Sequence, residues 1–293
     1  MGDYASWGFE EGDEVHPGRV ALKTLGGGNR YEVLLVWDDR LFALAVAKLL
    51  RPDQAEDGKA LSDLEREVEV LQSLAHPAIV RSFDAVLEAP HPHVLIEHLE
   101  GPSLRRLLRR DGALPLQQVL PLAAQVAGAL HYMARSGYVH LDVKPDNIVM
   151  GVPPRLIDLS IARTVERAAR TRGPLGTDPY MAPEQCGADT AAGIGPPADT
   201  WGLGATLFHA VAGEKPFLEG HGEEGPERFP QLVEPPGPLP SSLPESLRAL
   251  LAEMLAADPA DRPGCDEVVE RLEPLIAELP RKARLGRRGL AGI

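Results

Sequence analysis

The chain has 293 residues and a formal charge of -13, with 44% hydrophobic and 25% charged residues. This length can bury a sizeable core in one large domain or two closely packed lobes, and the composition is that of a globular protein rather than a disordered one. The acidic balance argues against general affinity for nucleic acid or anionic membrane, and two cysteines, Cys186 and Cys265, make neither a disulfide framework nor a zinc site.

Residues 1–15 carry five acids and no Lys or Arg, and 1–17 read as an acidic extension. Strands are expected over Arg19–Leu25, Glu32–Trp37 and Leu41–Leu50, separated by the turn signals Gly26-Gly27-Gly28-Asn29 and Asp38-Asp39. A helix follows over Leu61–Leu74, with Leu61, Leu64, Leu71 and Leu74 at helical spacing, and then a strand over Val94–His98. Beyond Glu100 the pattern turns helical: Leu116–Arg135, Thr200–Ala212, Leu243–Ala257 and Cys265–Glu278. Gly220–Pro244, rich in Gly, Pro and Glu, reads as a long surface loop. The last 13 residues hold Arg281, Lys282, Arg284, Arg287 and Arg288 and no acid, a basic tail over 279–293. No apolar run approaches the roughly 18–20 residues that span a bilayer, so no membrane partner and a cytoplasmic setting are expected.

Polar residues at apolar positions carry the chemical signal. Glu67 lies on the apolar stripe of the Leu61–Leu74 helix, and Lys48 interrupts the apolar strand Leu41–Leu50. Burying either charge alone is expensive and burying them as a pair is tolerable, so the two are expected to meet between sheet and helix. Farther on, His140-Leu141-Asp142-Val143-Lys144-Pro145-Asp146-Asn147 clusters an acid, a base and an amide after a helix end. Ile148–Met150 and Leu156–Asp158 read as short strands joined by a tight turn, which brings Asp158 near Asn147. Their oxygens suit a hard cation such as Mg2+.

With these residues in place, the chain resembles the eukaryotic-type serine/threonine protein kinase family, in its bacterial branch, from about Arg19 to Glu278. The resemblance implies an α+β, two-lobed fold. A small β-rich lobe with one main helix (about 18–98) would face a larger helical lobe (about 99–278), with ATP in the cleft. Leu25-Gly26-Gly27-Gly28 through Val33 resembles the glycine-rich loop over the phosphates, and Ala45-Val46-Ala47-Lys48 the strand whose lysine holds them, paired with Glu67. Val33, Val46 and Val149 would enclose the adenine, Ile96 would guard the pocket behind it, and Glu97 and Leu99 would offer backbone groups to its edge. By the same resemblance Asp142 orients the acceptor hydroxyl and takes its proton. Lys144 neutralises the migrating phosphoryl group, and Asn147 and Asp158 hold Mg2+ or Mn2+. Gly176-Thr177 and Ala182-Pro183-Glu184 would end an activation segment, with Glu184 paired to Arg262 and Asp199 anchoring the catalytic loop.

The implied partners are ATP and proteins with Ser or Thr acceptors; oligomeric state leaves no signal. Three positions depart from the family pattern. Tyr31 stands at the third loop glycine, which implies a bulkier, less mobile lid. Ser160 replaces the glycine after Asp158. Leu141 replaces an Arg that grips a phosphothreonine, so Thr171, the natural autophosphorylation site ahead of Thr164, is expected to lack its usual phosphate partner. These departures leave a nucleotide-binding pseudokinase as the alternative. A small-molecule kinase of related fold is disfavoured by the peptide-binding segment around Thr177 and Glu184.

Overall fold

Antiparallel pairing organises the first third of the chain in the computed structural model, which describes residues 4–88, 90–187 and 193–279. Strands β1 (Glu14–His16), β2 (Arg19–Gly27), β3 (Tyr31–Asp38) and β4 (Ala43–Leu50) are followed by helix α1 (Gly58–Ser73) and strands β5 (Ser82–Val86) and β6 (His93–Glu97). They form one sheet in the order β1-β2-β3-β4-β6-β5. Helix α1 begins a turn before the expected Leu61 because Asp57 caps it, its carboxylate accepting the Ala60 N–H at 2.7 Å.

The two faces of the sheet have different fates. On one, Lys48 lies beside Val33 in β3 and Val94 in β6, facing α1. On the other, Leu34, Val36, Ala45, Ala47, Leu49 and Leu95 make a second apolar layer, packed by Val15, Trp7 and Phe9. The N-terminal segment, expected as an acidic extension over 1–17, packs on the sheet through Trp7, Phe9 and Val15. It covers the outer face of the sheet and contributes β1, because that face is too apolar to stand in water.

The rest is helical: α2 (Leu104–Asp111), α3 (Leu116–Arg135), α4 (Val165–Ala169), α5 (Pro196–Ala212), α6 (Gly225–Arg228), α7 (Glu245–Met254) and α8 (Cys265–Ala277), with two-residue strands β7 (Tyr138–Val139), β8 (Ile148–Val149), β9 (Arg155–Leu156) and β10 (Arg163–Thr164) between α3 and α4. Helix α3 matches its expected span and buries Val119, Ala123, Val126, Leu130 and Met133 against α5 and α8. One continuous core joins α1 of the sheet half to α3, α5, α7 and α8. The α+β, two-lobed expectation holds.

Gly220–Pro244 is not a plain surface loop. It contains α6 and a 3-10 turn at Pro230–Leu232, and it buries Phe229 and Gln231, whose amide donates to the Asp178 and Met181 carbonyls at 2.7 and 3.1 Å. The basic tail from residue 280 onward lies outside the described residues. Among the described residues no helix is long and apolar enough to cross a membrane.

Candidate active site

Lys48 sits where three elements converge. Its Nζ donates to Glu67 Oε1 and Oε2 at 2.7 and 2.9 Å and to Asp158 Oδ1 at 2.7 Å. Burial alone would lower the Lys48 pKa, but Asp158 and Glu67 outweigh it and hold the ammonium above its usual value. Burial also opposes the Asp158 carboxylate, yet Lys48 keeps it well below the usual carboxylate range. Glu67 is raised, because its burial outweighs the help of Lys48. Two carboxylates thus share one ammonium. Asp158 also adopts a left-handed backbone, φ 63°, a strain of order 1–3 kcal/mol that non-glycine residues keep mainly at functional sites.

Tyr31 corrects the expectation of a bulkier outer lid. Its side chain turns inward, with the ring 4.4 Å from Lys48 Nζ and the residue only 9% exposed. Its ring covers Lys48, and the buried hydroxyl has no partner among the described residues.

The second cluster is built by the turn after β7. Asp199, near the start of α5, accepts the main-chain N–H groups of His140 and Leu141 at 2.7 Å each, which fixes the segment that carries Asp142. Burial pushes the Asp199 pKa up, against His140 nearby and these two bonds. Lys144 Nζ donates to Asp142 Oδ2 at 2.7 Å and to Thr177 Oγ1 at 2.6 Å, and Thr177 donates to Asp142 Oδ1 at 2.7 Å. Asn147 gives its side-chain N–H to the Asp142 carbonyl and to Oδ2, at 2.9 and 3.0 Å, which leaves its side-chain oxygen Oδ1 for another partner. Strands β8 and β9 pair as expected, and the Ile157 N–H meets the Asn147 main-chain carbonyl at 2.8 Å.

Between the clusters lies a cavity of about 410 Å³, lined by Leu25, Val33, Val46, Lys48, Glu67, Ile96, Glu97, Leu99, Asn147, Val149 and Asp158 among others. Its walls are aliphatic at one end and charged at the other, the arrangement for a ligand with a flat apolar part and an ionic part. Gly26, Gly27 and Gly28 are not among its lining residues. Gly26 and Gly27 close the β2–β3 hairpin with φ near 136° and 138°, and a Cβ on Gly27 would collide with the Tyr31 carbonyl. The Glu97 side chain turns to Arg81, at 2.9 Å.

The segment after β10 is anchored at both ends. Glu184 and Arg262 form a bidentate pair at 2.7 and 2.9 Å. Gln185, which sequence reasoning missed, donates to the Leu141 and Leu175 carbonyls at 2.8 and 2.7 Å. Leu141 is buried in an apolar cluster. The usual Arg partner is thus absent from that position, and Arg163 Nη1 instead donates to the Thr171 hydroxyl at 3.0 Å. Burial, then Arg66 and Arg167, lower the Arg163 pKa against Asp63. Thr164 is occupied as the cap of α4.

A family model described as protein kinase domain matches residues 20–272. The chain is 32% identical to the serine/threonine-protein kinase PknB of Mycobacterium leprae over 203 residues, 66% of this chain and 32% of that protein. It is 29% identical to PknB of Mycobacterium tuberculosis over 252 residues, 81% of this chain and 39% of that protein. With the serine/threonine-protein kinase PkaB of Streptomyces coelicolor it shares 32% over 252 residues, 81% of this chain and 58% of that protein. The chain thus spans about a third of the length of the first of these relatives.

Proposed function

The chain belongs to the protein kinase family, and from that premise we propose that it transfers the γ-phosphoryl group of ATP to serine and threonine hydroxyls of proteins. The observation that carries the reading is the convergence of two charged clusters, Lys48–Glu67–Asp158 and Asp142–Lys144–Asn147–Thr177, on one half-apolar cavity. Leu25, Val33, Val46 and Val149 supply the apolar walls for the adenine, and the backbone of Glu97 and Leu99 its polar edge. Gly26, Gly27 and Gly28 let the hairpin lie close to the phosphates. Lys48 holds them from the other side, and Glu67 holds Lys48.

Asp142 is the group placed to orient the acceptor hydroxyl and take its proton, and Lys144 to offset charge on the group in transit. The residues fit a divalent cation: two carboxylates share one ammonium, and the Asn147 side-chain oxygen Oδ1 has no partner among the described residues. Asn147 and Asp158 would hold Mg2+ or Mn2+, which when bound neutralises phosphate charge. Among the described residues no three His, Cys, Asp or Glu side chains form a metal cage, so phosphate oxygens would complete the shell. Thr171, already held by Arg163, is the acceptor we assign for autophosphorylation. A cytoplasmic setting, where ATP is supplied, belongs to the same reading.

The test is incubation with γ-labelled ATP and Mg2+ or Mn2+, with and without a generic basic protein, followed by phosphoamino-acid analysis. Label on serine and threonine is expected. Nucleotide binding without transfer under either metal would establish a pseudokinase instead.

A further inference from the structure

Arg51 follows β4 directly, three residues after Lys48, and only 7% of it is exposed. Burying a guanidinium demands partners for its fork of donors. Among the described residues its side-chain partners are two main-chain carbonyls and an aromatic face. Nε donates to the Gly28 carbonyl at 2.6 Å, Nη1 donates to the Ala5 carbonyl at 2.6 Å, and the Tyr4 ring lies 5.2 Å away. The Arg51 main-chain N–H adds a bond to the Arg30 carbonyl at 3.0 Å. One residue thus joins the tip of the β2–β3 hairpin to the N-terminal segment.

That segment is itself fastened. Trp7 Nε1 donates to the Leu50 carbonyl at 2.8 Å, and the Trp7 N–H and Ser6 hydroxyl donate to Glu32 at 3.0 and 2.8 Å. Glu32 lies on the outer face of the sheet, and its neighbours Tyr31 and Val33 face the cleft. The carbonyl and N–H of a trans peptide point in opposite directions. A Gly28 carbonyl held by Arg51 therefore turns the Asn29 N–H of the same peptide plane away from Arg51.

We propose that Arg51 is a positioning residue for nucleotide phosphate, and that Tyr4–Trp7 is the strap that completes it by holding the glycine hairpin with its amides facing the cavity. The proposal rests on the nucleotide reading of that cavity. It gives the N-terminal segment a part in binding that its acidic composition does not suggest.

The experiment uses the full chain as Arg51→Met, Arg51→Lys, Trp7→Ala and the Trp7→Ala/Arg51→Met double variant. Two readouts are taken: amide hydrogen exchange over Leu25–Arg30 without nucleotide, and KM for ATP, kcat and ADP affinity with Mg2+. Arg51→Met is expected to raise KM for ATP and weaken ADP about tenfold, the worth of one or two net hydrogen bonds, with kcat within about twofold. Its hairpin exchange rises while α3 and α5 are unchanged. Trp7→Ala moves the same readouts less, and Arg51→Lys, which serves one carbonyl at a time, falls between wild type and Arg51→Met. The double variant is no worse than Arg51→Met, because both act through one clamp. Unchanged hairpin exchange in Arg51→Met and Trp7→Ala overturns the clamp. Faster exchange with unchanged KM overturns its role in binding. A wild type that binds no ADP refutes the nucleotide reading instead, while the exchange data still decide the clamp.

Discussion

Arg262 grips Glu184 through both ends of its guanidinium, at 2.7 and 2.9 Å, with essentially no solvent exposure of either side chain. The same guanidinium donates to the carbonyls of Ala256, Ala257 and Pro197 at 2.8, 3.1 and 3.1 Å. Removing it leaves a buried carboxylate and three carbonyls without their donor. Arg262→Ala is expected to lose about 3–5 kcal/mol of stability in denaturant unfolding. Arg262→Lys, which keeps the charge and loses the fork, falls between.

His93 gives the fold an acid-side weakness. Its Nδ1 donates to the His91 carbonyl at 2.6 Å, and its Nε2 accepts from Arg19 at 2.8 Å, an arrangement that requires the neutral ring. Burial, with Arg19 and His16 against Asp84, pulls its pKa down to about 4. The unfolded chain takes up this proton near pH 6.5, before the folded chain does. The contribution is therefore complete above that pH and lost progressively as pH falls toward about 4, at most about 3 kcal/mol. Urea unfolding from pH 7 to 4.5 should show a shallower pH slope in His93→Gln than in wild type.

The Tyr31 hydroxyl is buried without a partner among the described residues, while its ring covers Lys48. Tyr31→Phe keeps the ring and removes the unpaired group. Its stability is expected to equal or exceed wild type by up to about 1 kcal/mol, read as a raised thermal midpoint.

Asp199→Asn tests the support beneath Asp142. The carboxylate accepts two main-chain N–H groups, and an amide offers one oxygen, so one buried donor loses its partner. A loss of about 1–3 kcal/mol in stability is expected. Phosphoryl transfer should fall further than the stability loss explains, because the segment carrying Asp142 is released, and both are measured on one preparation.

The Lys48–Glu67 contact was legible in the sequence because each charge stood on an apolar face, where only a partner makes burial tolerable. Helix α3 was legible from its apolar period and the glycine that follows it. What escaped depends on distant contacts. Arg51 and Arg163 look like ordinary surface cations until Gly28, Ala5 and Thr171 are brought to them. Strand β1 is three residues long and sits in an acidic stretch, so its pairing with β2 is decided by the sheet and not by its own propensity. The inward turn of Tyr31 likewise follows from strand alternation, which places it on the same side as Val33, whereas the family pattern says only that a glycine is missing.

The proposed transfer is tested most directly at Asp142, which bonds Lys144 and Thr177 and does not line the cavity. Transfer rate and Mg-ATP affinity should be measured together for wild type and Asp142→Asn. The account predicts a loss of transfer of about 10²–10⁴-fold with nucleotide affinity within about threefold of wild type. Equal labelling by the two proteins would contradict it.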